Sequence, residues 1–500
     1  MPNGPNRRLV VETVRPNSAS TVQPISPPHH SRPIEGPLSN NQFPWLCPFL
    51  QFSSIIFNTC RLTASAIVPQ RVNIRSAPKS NRPSHSNPSL GPSSGILIMS
   101  APGIANPGET SLKLYEGEQQ KVVAGHPVVY KYIAGHNDPS KPLVAFVPGM
   151  AHNGRISYGG HKGYRGEDFL AHWFHEHGYG FLGISYPLDA EPPLMPATSP
   201  AFTIPNWGVQ AAATIKAVIA ENHLPQSVVI LAWSMAGKIL GPVTVEARRL
   251  GIDVQLFVSL AATPALPGLL PAVSKEQLDQ TDSGYVTMPF LKRAFLQQLD
   301  EQDKINHLTE GRRLIEPVTY EKEYFGATPI GITAFGFRFD NETKKFVPEE
   351  SKWQLLEDGQ AQNFGSLSAM AAIYPTSELD FRHGITDKAT WSYLMIHRTM
   401  AMFSEDHRVH RLSQVKDSVS ADKLAAERSS FQDLQKIVLG IPELMTANIL
   451  GNHFFFCGES GARKTVETVI GFLSSSIVVQ RNLEDMLDAC GREATTSDSS

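Results

Sequence analysis

Ser234 stands in the stretch VVILAWSMAGKIL, where an apolar strand-like run stops at one serine and a helical segment follows. Leaving a strand and entering a helix within a residue or two forces the middle residue into a strained conformation. It also exposes the side-chain oxygen near a helix N-terminus, where developing negative charge is favoured. That arrangement suits a nucleophile attacking a carbonyl carbon. The usual form of such a turn is G-x-S-x-G, and here both glycine positions are alanine, Ala232 and Ala236, with Gly237 one step later. The turn needs small side chains rather than glycine as such, so the alanines are tolerable. A buried serine in an ordinary strand-to-helix loop is the competing reading, and the local pattern does not choose between the two.

A serine nucleophile needs a base, an acid to orient that base, and donors for the oxyanion. Upstream, VPGMAHNG (Val147 to Gly154) ends an earlier strand. A loop there can aim the Met150 amide at a substrate oxygen, with the Met235 amide as the second donor. A plain Pro-Gly turn is the alternative. Near the C-terminus ILGNHFFF offers His453, just past a strand-like run and before the last helix, in the chain order serine, acid, histidine. Its three phenylalanine neighbours also fit a buried packing role. For the acid, Asp422 in SVSADKLAAE precedes a helix and lies 31 residues before His453. The strand expected before it is short and poor in apolar residues. Asp406 in FSEDHRV is second, and Asp387 and Asp417 are more distant candidates.

The elements that would carry these residues alternate from about Thr110 onward. KVVAGHPVVYKYI reads as two strands around a tight Gly-His-Pro turn. PLVAFVPG is a continuous apolar run, as a strand covered on both faces should be. GEDFLAHWFHEHG reads as a helix ending at Gly178, GFLGISYP as a strand, and NWGVQAAATIKAVIAENH as an amphipathic helix. SVVILAWS, GKILGPVTVEARRLG and VQLFVSLAAT continue as strand, helix and strand. This rhythm predicts an α/β fold with a mostly parallel sheet and helices on both faces. It breaks from about Pro264 to Arg411, where helix-like pieces (MPFLKRAFLQQL, ATWSYLMIHRTMAMF) mix with irregular polar stretches. It resumes near Ser418 with a short strand-like piece, the helix ERSSFQDLQKIV, a strand and loop in MTANILGNHFFF, and a closing helix GARKTVETVIGFLSSS.

Taken together, the AWSMAG turn, the VPGM loop and the terminal GNHFF resemble the α/β-hydrolase superfamily over about Thr110 to Ser476. The resemblance implies acyl transfer through an acyl-serine: Ser234 attacks, His453 takes its proton, Asp422 orients His453, and the Met150 and Met235 amides hold the oxyanion. It implies that the Pro264–Arg411 insertion is a lid. The expected division is 1–98 extension, 99–263 first part of the core, 264–411 lid, 412–485 second part of the core, and 486–500 polar tail. Overall texture is similar to fungal α/β-hydrolases encoded beside polyketide or peptide-toxin pathways. The aromatic, Met-rich WSYLMIHRTMAMF favours an apolar small-molecule substrate, and the serine at the elbow separates the chain from the dehalogenase branch, which carries aspartate there.

Other clusters are weaker. His172, His175 and His177 crowd one helix, but His177 points away from the other two, and no cysteine or well-placed carboxylate completes a metal set. GESGARKT (Gly458 to Thr465) looks like a phosphate loop, yet Arg463 stands at its last glycine position. Arg155, His161 and Arg165, after the oxyanion turn, fit either a polar substrate contact or a solvated loop. No cofactor or metal is expected.

Composition narrows the setting. The 500 residues carry a formal net charge of −3, which gives no electrostatic case for nucleic acid. Four scattered cysteines (Cys47, Cys60, Cys457, Cys490) form no C-x-x-C pair, so a reducing, intracellular setting is expected. No uncharged apolar run is long enough for a spanning helix. The first 98 residues hold 15 of the 38 prolines and nine Lys/Arg against two Glu. Such a segment buries too little apolar surface to offset its ordering entropy, and a disordered extension is expected. Its basic, acid-poor character also fits a mitochondrial transit segment, or a start upstream of the working Met99. Oligomeric state is left open by the sequence.

Overall fold

The structure is a computed structural model that describes residues 113–270, 273–307, 312–351, 353–405 and 421–496, without the side chains of 403–405, 421–430 and 487–496. These residues belong to the compact unit Ser93–Ser500. The expectations about residues 1–98 fall outside the described residues.

An antiparallel hairpin opens the sheet: β1 (Glu118–Val123) and β2 (His126–Ile133) pair from Glu118↔Lys131 to Val123↔His126. Its turn is Ala124–Gly125, both at positive φ, so His126 and Pro127 already belong to β2 and are not turn residues. The core strands follow: β3 (Leu143–Val147), β4 (Phe181–Ser185), β5 (Ser227–Trp233) and β6 (Asp253–Leu260). Two small hairpins lie outside the main sheet, β7 (Asp279–Gln280) with β8 (Val286–Thr287), and β9 (Phe337–Asp340) with β10 (Lys345–Pro348). The last core strands are β11 (Met370–Pro375) and β12 (Thr446–Ile449). The main sheet has eight strands in the order β1-β2-β4-β3-β5-β6-β11-β12, parallel from β4 onward. Every residue of β3 and β4 is buried, which requires cover on both faces.

The helices are α1 (Leu170–Glu176), α2 (Ile204–Glu221), α3 (Leu240–Arg249), α4 (Pro289–Ile305), α5 (Gln354–Asp358), α6 (Phe381–Glu405), α7 (Ala421–Leu444) and α8 (Glu459–Thr496). Gly178, at φ 79°, ends the α1 segment as a left-handed stop. Gly208 lets α2 approach α3, because a Cβ there would sit 2.4 Å from Pro242. Among the described residues no helix is long and apolar enough to cross a membrane.

One departure from the sequence reading controls the site. β11 lies inside the Pro264–Arg411 stretch expected to be lid, and it pairs with both β6 and β12. The helix containing WSYLMIHRTMAMF is α6, which follows β11 and packs on it and on α7. Between β6 and β11 lie α4, α5 and the two small hairpins, and Phe295 of α4 stacks on the His453 ring. The strand-like piece expected near Ser418 lies outside the described residues.

Candidate active site

Ser234 follows β5 directly, at φ 56°, and opens a 3-10 turn (Ser234–Ile239) that runs into α3. The left-handed backbone is costly for a residue with a Cβ. Close packing holds it there. Ala232 and Ala236 are fully buried. A Cβ on Gly149 would lie 2.4 Å from Ser234 Cβ and 2.9 Å from its Oγ, so the upstream loop touches the nucleophile and only glycine fits. A Cβ on Gly237 would meet the Thr263 carbonyl at 2.7 Å. Thr263 in turn donates its N–H to the Ser234 carbonyl at 2.8 Å.

The loop after β3 is tied at almost every polar atom. Tyr186 Oη donates to the Gly149 carbonyl at 2.8 Å. His152 Nδ1 donates to the Met150 carbonyl at 2.8 Å, and its Nε2 accepts from Tyr320 at 2.7 Å. Complete burial pushes the His152 pKa down to about 3, so the ring is a neutral strut. The Ala151 N–H donates to Thr328 Oγ1 at 2.8 Å. Among the described residues the Met150 and Met235 amides have no hydrogen-bond partner. These are the two that the sequence names as oxyanion donors.

His453 lies just beyond β12, after Gly451 and Asn452. Asn452 Nδ2 donates to the Gln298 carbonyl at 2.6 Å and to Glu301 at 2.8 Å, fixing the loop to α4. Trp233, the residue before the nucleophile, donates its indole N–H to the His453 carbonyl at 3.0 Å, and its ring lies 5.1 Å from the imidazole. His453 is therefore registered against the elbow by the elbow's own neighbour. Its Nδ1 bonds Asp380 Oδ2 at 2.7 Å. Ser234 Oγ has no hydrogen-bond partner among the described residues; nucleophile–base contacts commonly tighten only on substrate binding. Burial lowers the His453 pKa, and the nearby Asp380 carboxylate opposes that shift without reversing it.

The carboxylate hydrogen-bonded to His453 is that of Asp380, which the sequence reading did not single out. Asp380 ends a short 3-10 turn five residues after β11, and Ser377 caps that turn by accepting the Leu379 N–H. Thr376 and Ser377 donate their amides to the Gly451 carbonyl at 3.0 and 2.8 Å, locking the ends of β11 and β12 together. Burial works against ionising Asp380, but His383, His453 and Arg382 outweigh it and hold the carboxyl below its ordinary range. Asp422 is the second residue of α7, and its side chain lies outside the described residues, as do Asp406 and Asp417. Asp387 bonds a different histidine, His383.

The remaining sequence candidates take other roles. Arg155 is buried and grips both carboxylate oxygens of Glu118 at 2.7 Å, pinning β1 to the oxyanion loop. His161 is also buried and bonds Tyr324 at 2.5 Å. Arg165 pairs with Glu459 on the surface. His172 packs edge-on against Trp173, while His175 donates to the Ala134 carbonyl, so they serve different neighbours. GESGARKT forms the loop and first turns of α8. Among the described residues, Asp380, His383 and His453 bring nitrogen and oxygen atoms within 4.8 Å of one another. Those atoms are engaged with each other, with Asp387 and with Arg382, and they read as hydrogen-bonding partners.

Strand order, elbow and histidine loop together define an α/β-hydrolase fold. No protein family matches the chain, and no curated protein does. Solved structures of similar layout include a thioesterase domain from the curacin biosynthetic pathway, 12% identical with TM-score 0.31, covering 71% of this chain and 98% of that one. A membrane phospholipase A described as a bacterial virulence factor is 11% identical with TM-score 0.36, covering 72% and 86%. A Pyrobaculum calidifontis esterase is 12% identical with TM-score 0.34, covering 72% and 85%.

Proposed function

We propose that this chain is a serine hydrolase that cleaves an ester, thioester or lactone of an apolar small molecule through an acyl-serine. The observation that carries the reading is the Asp380–His453 hydrogen bond, set at the ends of β11 and β12 beside a serine held at positive φ at the end of β5. In this reading His453 Nε2 removes the Ser234 proton as Oγ attacks the carbonyl carbon. The Met150 and Met235 amides take the oxyanion, and Asp380 stabilises the imidazolium that forms. The leaving group departs with the proton from His453. Water, activated by the same imidazole, then attacks the acyl-serine and frees the acid.

Phe295, Tyr320, Phe325 and Phe454 ring His152 and His453, so the cover over the site is aromatic, which supports an apolar acyl chain. A second reading keeps the same site and transfers the acyl group to a bound alcohol or amine, including cyclisation. The similarity in texture to fungal enzymes of secondary-metabolite pathways, and an intracellular setting, belong to this proposal.

A fluorophosphonate probe tests the reading directly. The intact protein should be labelled at Ser234, and Ser234→Ala should not be. Equal absence of labelling in both would replace the enzyme with a small-molecule-binding protein of the same fold.

A further inference from the structure

Beyond the Ser234–His453–Asp380 set, α6 carries a second histidine–carboxylate pair. His383 and Asp387 are each 2% exposed, and His383 Nδ1 lies 2.9 and 3.0 Å from the two Asp387 oxygens. The other His383 nitrogen lies in hydrogen-bond contact with the Arg382 guanidinium. The same guanidinium nitrogen of Arg382 donates to Thr263 Oγ1 at 2.9 Å. Thr263 is the residue whose amide holds the Ser234 carbonyl. An unbroken run of hydrogen bonds therefore leads from Asp387 through His383, Arg382 and Thr263 to the backbone of the nucleophile, starting on the helix that follows Asp380. The His383 ring also lies 5.3 Å from the His453 ring.

The charges in this cluster carry a second message. The carboxylates of Asp380 and Asp387 outnumber the single guanidinium of Arg382 beside them. A buried cluster with one unmatched negative charge favours the imidazolium that the chemical step creates.

We propose that Arg382, His383 and Asp387 form a positioning relay for the triad, in which Asp387 fixes His383, His383 and Thr263 fix Arg382, and Arg382 ties the start of α6, just after Asp380, to the Ser234 backbone. The proposal rests on the serine-hydrolase reading. The other ionisable groups around His453 are His152 on the oxyanion loop, Glu301 on α4, and Lys238 on the elbow turn. The substitutions below leave all three in place.

The test uses the full chain, a p-nitrophenyl ester and the fluorophosphonate probe. Asp387→Asn removes a negative charge near His453, lowers its pKa and moves the acid limb of kcat/KM to lower pH. Arg382→Gln removes a positive charge and moves that limb to higher pH. Each shift should be about half a pH unit, with kcat down about tenfold and KM within about twofold of the starting protein. Arg382→Lys keeps the charge and the limb but loses kcat through geometry. A role confined to stability would lower the melting temperature without moving the limb in opposite directions. Limbs that stay fixed, or move together, in variants that keep their melting temperature overturn the relay. If Asp387→Asn does not fold, Thr263 carries the test: Thr263→Val should lose kcat and Thr263→Ser recover it, and a Thr263→Val protein with full kcat overturns the proposal. Ser234 labelling in the unsubstituted protein separates failure of the relay from failure of the hydrolase reading.

Discussion

Around Ser234 positions are fixed by lack of room, whereas around His453 they are fixed by charge and hydrogen bonds. Small residues crowd the turn: Gly149 of the upstream loop against the Ser234 side chain, Gly237 against the Thr263 backbone, and Ala232 and Ala236 with no exposure at all. The histidine side holds Asp380, Arg382, His383, Asp387 and Asn452, each with a specified polar partner. Shape tolerates little change of volume and is indifferent to pH. A polar cluster tolerates isosteric change in volume but responds to a single lost charge.

Ser234→Ala should have the largest effect on rate, a loss of roughly 10⁴- to 10⁶-fold in kcat with the melting temperature nearly unchanged. Steady-state kinetics on an activated ester checks it. Next comes the histidine side. Asp380→Asn should cost roughly 10³- to 10⁴-fold, because the imidazole loses both its tautomer and its counter-charge. Asp422→Asn should stay within about twofold of the starting rate. The reverse pattern would restore Asp422 as the acid.

Gly149→Ala tests the shape side. Its Cβ would sit 2.4 Å from that of Ser234, so the oxyanion loop must retreat. A loss of about 10²-fold in kcat and about 1–3 kcal/mol of stability is expected, read by kinetics and denaturant unfolding together.

The fourth prediction concerns stability alone. Lys238 is fully buried with its Nζ on the Met235 sulfur, and burial, aided by Arg382, pushes its pKa down to about 7. Between that value and the ordinary lysine range the unfolded chain binds a proton that the folded chain does not. Stability therefore falls as pH drops toward 7 and levels off below it. Lys238→Met should raise stability at pH 7 by roughly 3–5 kcal/mol, with the gain shrinking as pH rises toward 10.5. Urea unfolding at pH 7 and 9.5 measures both. A gain equal at the two pH values would mean that the lysine is not held neutral.

The contrast between shape and charge also explains what could be read in advance. An apolar run that halts at Ser234 between small residues leaves a local trace, because steric demands act on neighbours in sequence. The alternation through β3, β4, β5 and β6 was legible for the same reason. Asp380 left a fainter trace. The run MAAIYP before it is a short, Ala-rich strand set within polar sequence, and it reads as part of an insertion. What makes it a core strand is pairing with β6 on one side and β12 on the other, both far away in the chain. The Arg382–His383–Asp387 cluster depends on Thr263, more than a hundred residues upstream, and no local period encodes such a contact.

The covering segment has its own consequence. Antiparallel bridges join His152 to Phe325, Asp189 to Ala327 and Val286 to Thr328, and the Thr328 hydroxyl holds the Ala151 amide while Tyr320 holds His152. Residues 320–328 are thus stitched into the loop that carries Met150. Peeling that seam away unfastens the loop at the same stroke. Any change that shifts residues 320–328 therefore shifts the Met150 loop with them.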